Sequence, residues 1–96
     1  MTKRVENIKL CEKIRELHCE ACGSSSLIEC HHIVTRARLG PDLEWNLMPL
    51  CYSCHRYWHD QPKTKFFEKF PSMIRNLIDR GFFWDNHFKK LVHPKF

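Results

Sequence analysis

From Val5 to Leu17 the apolar residues Val5, Ile8, Leu10, Cys11, Ile14 and Leu17 return every three or four positions among lysines, arginines and glutamates. That period predicts an amphipathic helix ending near His18. The stretch CEACGSSS follows, a tight Cys-x-x-Cys turn whose glycine and three serines cannot sustain a helix. LIECHHIV then reads as a strand, TRARLGPDLE as a loop with Gly40-Pro41-Asp42 as its turn signal, and WNLMPL as a second short strand. Helical character resumes in CYSCHRYWHDQ after a second Cys-x-x-Cys turn, and Pro62 stops that helix or opens the next. Residues 63–80 predict one or two helices broken at Pro71, with Gly81 as a C-terminal cap. The aromatic tail FFWDNHFKKLVHPKF is expected to pack back onto the body.

A chain of 96 residues buries little apolar surface, so a domain of this size leans on metals, disulfides or partners. The charged N-terminus, with no apolar run long enough for a signal segment or a membrane span, leads to the expectation of a cytoplasmic protein. In a reducing compartment the six cysteines are expected to be metal ligands or buried thiols rather than disulfides. Cys19 and Cys22 form one spaced pair, and Cys51 and Cys54 form another. Four thiolates in two such turns match a closed tetrahedral zinc site, which would staple the first turn to the later helix. Cys11 and Cys30 have no spaced partners and are expected as small core residues.

Histidine supplies a second constellation. His55 and His59 stand four apart on the predicted helix, so their rings share one face and can hold one metal, about 100° around the helix from Cys54. In ECHHIV two histidines are adjacent; neighbouring strand residues point to opposite faces, so the strand is expected to end or distort there. His31-His32, Asn46, His55 and His59, carried by ECHHIV, WNLMPLC and CHRYWH between the cysteine pairs, resemble the HNH nucleases of the ββα-metal superfamily over roughly residues 19–60.

The resemblance implies an α+β fold: a ββα-metal module with structural zinc, flanked by an N-terminal helix and C-terminal helices. It implies a single nuclease domain over residues 1–96, with a catalytic core at about 19–60 and helical flanks at 1–18 and 63–96. By correspondence His31 and His55 hold a catalytic divalent ion (Mg²⁺, Mn²⁺, Ni²⁺ or Zn²⁺), with His59 matching a third ligand found in some members. His32 corresponds to the general base and Asn46 to the residue that pins the loop carrying it. The implied reaction is hydrolysis of DNA, double-stranded rather than single-stranded, by nicking or double-strand cutting, leaving 5′-phosphate and 3′-hydroxyl ends. A phage origin is implied only because small members occur there.

Charge adds a partner. Residues 1–18 carry five Lys/Arg against three Glu, 19–60 three Arg against five Asp/Glu, and 61–96 eight Lys/Arg against three Asp/Glu. Basic flanks around a less basic middle suit a protein that grips a polyanion with its ends. Arg36, Arg38 and Arg56 are candidate phosphate ligands, with solvated loop arginines as the plain alternative. His18, His87 and His93 lack spaced partners and are expected at the surface or in the tail. Trp45, Phe66, Phe67, Phe70, Phe82, Phe83 and Trp84 are expected in the core rather than stacked on bases. The competing reading is a zinc-bound DNA- or protein-interaction module without chemistry. It explains the cysteines and the charge, and leaves the four histidines and Asn46 as coincidence.

Overall fold

A computed structural model describes residues 3–96. Strand β1 (Ile28–His32) pairs antiparallel with β2 (Leu47–Cys51), in a register running from Ile28 opposite Cys51 to His32 opposite Leu47. Helix α2 (Tyr52–Asp60) starts directly after β2 and packs across the hairpin, while α1 (Ile8–Arg15) packs against it as well. The alternation of the strand sorts the contacts: Glu29 and His31 meet α2 residues, whereas Cys30 meets Cys11 of α1 and His32 meets Asp42. Pro49 sits within β2 because each strand of a two-stranded ribbon keeps an unpaired edge, where a missing N–H does no harm.

Helix α1 is shorter than the Val5–Leu17 periodicity predicts, and the reason lies in its first residues. The Val5 carbonyl accepts from Asp42 N–H, and the Asn7 N–H donates to Asp42 Oδ2, so the backbone before Ile8 is bonded to the loop instead of to a helix. Asn7 then caps α1, its side-chain oxygen accepting from Leu10 N–H. Ile8 is consequently solvent-exposed, and Cys11 is the buried member of the apolar stripe.

Residues 63–80 fold as two helices, α3 (Lys63–Lys69) and α4 (Ser72–Asp79), separated at Pro71. Gly81, at φ +99°, ends α4 in a Schellman arrangement: its N–H bonds to the Ile78 carbonyl and the Phe82 N–H to the Leu77 carbonyl. Beyond it the helical flank expected through residue 96 gives way to a hairpin of β3 (Phe83–Asp85) and β4 (Lys90–Val92). Asp85 makes the turn, its Oδ1 accepting from the N–H groups of His87 and Phe88.

The core lies between the hairpin, α2, α3 and α4. Met48, Leu50, Trp58, Phe66, Met73, Leu77 and Phe82 are buried together, and the cysteines 19, 51 and 54 join the same cluster. The tail reaches this body through His93, which was expected at the surface or in the tail and is a buried tail residue. It stacks on Trp45 with ring centroids 3.9 Å apart and donates from Nε2 to the Arg80 carbonyl. Phe83 and Trp84 were expected in the core and are exposed on the C-terminal hairpin. No helix among the described residues is long and apolar enough to cross a membrane.

Candidate metal centres

The two Cys-x-x-Cys turns meet. The Sγ atoms of Cys19, Cys22, Cys51 and Cys54 all lie within 4.8 Å of one another, positioned to bind a metal ion. Zinc–sulfur bonds of about 2.3 Å put tetrahedral sulfurs about 3.8 Å apart. Cys22 and Cys51 stand at 3.7 Å. The first turn is shaped by Gly23, at φ +80°, whose N–H closes back on the Cys19 carbonyl, while Cys22 N–H points at Cys19 Sγ. Burial opposes the Cys19 thiolate, yet backbone N–H groups of Cys22, Cys51 and Ala21 outweigh it and bring this thiol down to about 7. Cys54 moves the other way, pushed up by burial and by the thiols around it. A lowered thiol at Cys19 beside a raised one at Cys54 is what a cluster looks like when a dication is needed to ionise both. The residues present therefore fit zinc.

The histidines form a second cluster about α2 and the end of β1. Nitrogens of His31, His55 and His59 lie within 4.8 Å of one another, with ring centroids 4.8 Å apart for His31–His55 and for His55–His59. His31 is 1% exposed, packed edge-on against Trp58, and its Nε2 is a buried polar atom with no hydrogen-bond partner among the described residues. Burial, then the charges of His55, His59 and Lys63, hold its pKa well below the ordinary histidine value. His59 is lowered for the same reasons, with burial first. These rings are thus kept neutral, the form that ligates metal. Glu29, two residues before His31 on the same face of β1, accepts from His55 Nδ1 at 2.7 Å. A carboxylate on one imidazole nitrogen turns the other nitrogen toward a metal and raises its basicity. This cluster also fits a cation.

His32 ends β1 and faces the other way, so one strand delivers its adjacent histidines to different neighbours. Its Nε2 lies 2.7 Å from Asp42 Oδ1. Asn46, fully buried, pins the intervening loop at both ends: its Oδ1 accepts from Val34 N–H at 2.6 Å, and its Nδ2 donates to the carbonyls of Val34 and Pro41, each at 3.0 Å. The same closure requires Gly40, where a Cβ would stand 1.8 Å from the Val34 carbonyl oxygen.

A cleft of about 300 Å³ opens on His31, His32, His55 and His59, with Thr35, Arg36 and Arg15 on its walls. Of the three arginines singled out from sequence, Arg36 lines this cleft. Arg38 lines a separate hollow beside the C-terminal hairpin, and Arg56 lies along the exposed side of α2 against Tyr52 and Asp60. Arg15, Glu29 and Asp42 were not singled out. No local spacing marks them; the Gly-Pro-Asp turn drew notice to Asp42 only as a loop residue.

The HNH endonuclease family model matches residues 19–61. No curated protein and no solved structure matches the chain. The matched segment contains the β1–β2 hairpin, α2 and both ligand clusters, in the arrangement of a ββα-metal module. Over residues 19–61, then, the chain is similar to the HNH endonuclease family.

Proposed function

We propose that the chain is a metal-dependent HNH endonuclease that hydrolyses DNA phosphodiester bonds, with His32 as general base. The observation that carries this reading is buried His31, whose Nε2 has no partner among the described residues and whose ring offers a nitrogen within 4.8 Å of nitrogens of His55 and His59, in a cleft shared with His32 and Arg36. Leaving such a nitrogen unmatched costs about 1–3 kcal/mol, a penalty that a ligand role removes.

His31 and His55 hold the divalent ion, and His59 completes the set. When bound, the ion supplies positive charge to the scissile phosphate and to the departing oxygen. His32 takes a proton from a water as the water oxygen attacks phosphorus; the bond to the 3′ oxygen breaks, leaving a 5′-phosphate and, once that oxygen is protonated by solvent, a 3′-hydroxyl. Asn46 keeps the loop after His32 in place. Arg36 and Arg15 neutralise phosphates beside the scissile bond, while Arg38 and Arg56, outside the cleft, are left to more distant ones. The four cysteines hold structural zinc, and the basic flanks favour double-stranded DNA.

A second reading, a zinc-bound interaction module without chemistry, accounts for the cysteines and the charge but gives buried His31 no partner. Relaxation of supercoiled plasmid by the zinc-loaded protein, with Mg²⁺, Mn²⁺, Ni²⁺ or further Zn²⁺ added in turn, separates the two. Cutting by the wild type and its loss in His32→Ala is the expected result. Absence of cutting under every metal would favour the second reading, and equal cutting by the variant would remove His32 as the general base.

A further inference from the structure

His32 is held by Asp42, a residue of the matched segment whose other contacts reach beyond that segment. Asp42 is 3% exposed, and both its oxygens are occupied. Oδ1 takes His32 Nε2 at 2.7 Å and Arg4 Nη1 at 2.5 Å, and Oδ2 accepts from Asn7 N–H at 2.8 Å. Arg4 and Asn7 lie outside residues 19–61. Cys11, His32 and Asp42 also fall within 4.8 Å of one another. That trio is not a metal site, since the Arg4 guanidinium already sits on the carboxylate oxygen that a cation would need.

We infer that Asp42 is a positioning residue for His32: it holds the Nε2–H edge of the ring, so that Nδ1 carries the lone pair that takes the proton, an inference resting on His32 being the base. Burial alone would raise the Asp42 carboxyl, but the hydrogen bonds from Asn7, His32 and Arg4 hold it well below the usual carboxylate range. It is therefore ionised at neutral pH and accepts only, which places the ring proton on Nε2. Nδ1 has no hydrogen-bond partner among the described residues, and His32 lines the cleft. In the reaction Nδ1 gains the proton of the attacking water while Nε2 keeps its own, and the imidazolium so formed faces a carboxylate already in place. The N-terminal segment thus completes the site: Arg4 and Asn7 fix the carboxylate that fixes the base.

The test reads the ring directly. Long-range ¹H–¹⁵N NMR of the zinc-loaded full chain in Mg²⁺ should show His32 as the Nε2–H tautomer. A wild-type ring protonated at Nδ1 overturns the inference without any variant. Asp42→Asn places an amide donor among groups that need an acceptor, and should populate the Nδ1–H form. Its kcat for plasmid nicking should fall by about 10²- to 10⁴-fold with KM for plasmid and Mn²⁺ affinity retained. In a His32→Ala background the same substitution should change kcat no further. An equal fall in both backgrounds marks a structural effect and overturns the inference. An inactive His32→Ala beside a fully active Asp42→Asn removes the role of Asp42 alone. A His32→Ala that cuts like the wild type removes the base assignment, and the inference with it.

Discussion

At His31 a single side chain carries the strongest local argument for a second metal. Its ring is enclosed by His55, His59 and Trp58, its Nε2 is unmatched, and truncation removes one of three converging donors. His31→Ala is expected to abolish binding of one Mn²⁺ per chain while leaving cysteine-bound zinc, whereas His32→Ala should bind Mn²⁺ as the wild type does. Calorimetric titration of Mn²⁺ with zinc measured in parallel checks both. The enclosure also has a consequence for acid stability. His31 in the fold lies well below its ordinary value of 6.5, so below that pH the unfolded chain takes up a proton that the folded chain does not. Stability is expected to fall as pH drops through about 6.5 in the absence of added divalent metal. Thermal melts across that window should show a weaker pH dependence for His31→Gln, and an identical slope in the two proteins would contradict the assignment.

At the scale of elements, the ends of helices and strands do much of the positioning. Asn7 starts α1 where the Asp42 contacts begin, and Gly81 stops α4 so that Phe82 turns inward against the core. Gly81 is doubly constrained: its φ is +99°, and a Cβ there would stand 2.7 Å from His93 Nε2. Gly81→Ala is therefore expected to destabilise by at least about 1–2 kcal/mol, from the left-handed backbone alone. For a domain of this length, each kcal/mol lost lowers Tm by about 4–8 °C, measurable by circular dichroism. The end of α4 also reaches the first cysteine turn, because Arg80 donates from Nη1 and Nη2 to the two oxygens of Glu20. That fork ties the C-terminal helices to the residue beside Cys19.

Across the whole molecule the cysteine cluster joins parts that are far apart in the chain. Cys19 and Cys22 precede the hairpin, Cys51 ends β2, and Cys54 lies in α2, so one ion there would hold strand, turn and helix together. Cys51→Ser is expected to lose bound zinc together with the cooperative thermal transition, because ligation energy in so small a domain is folding energy. Elemental analysis beside calorimetry checks this; one tightly bound zinc per chain in the variant would sink the four-cysteine assignment. The histidine cluster depends on the same scaffold, since β1 supplies His31, and α2, which carries Cys54, supplies His55 and His59. Removing zinc should therefore weaken Mn²⁺ binding as well.

What could be read along the chain was what local geometry encodes. A Cys-x-x-Cys turn aims its thiols together, histidines four apart on a helix share a face, and adjacent strand residues part to opposite faces, all through backbone periods that need no tertiary knowledge. The β1–β2–α2 order and the break at Pro71 followed from the same periods and punctuation. Tertiary structure decided the partners that no period links. Glu29 meets His55 across 26 positions, Arg4 meets Asp42 across 38, and Arg15 joins the cleft from a helix outside the matched segment. It also decided the start of α1 and the hairpin in the tail. Those outcomes depend on where loops bring distant groups into hydrogen-bond range, and hydrogen bonds of that kind leave no regular spacing in a sequence.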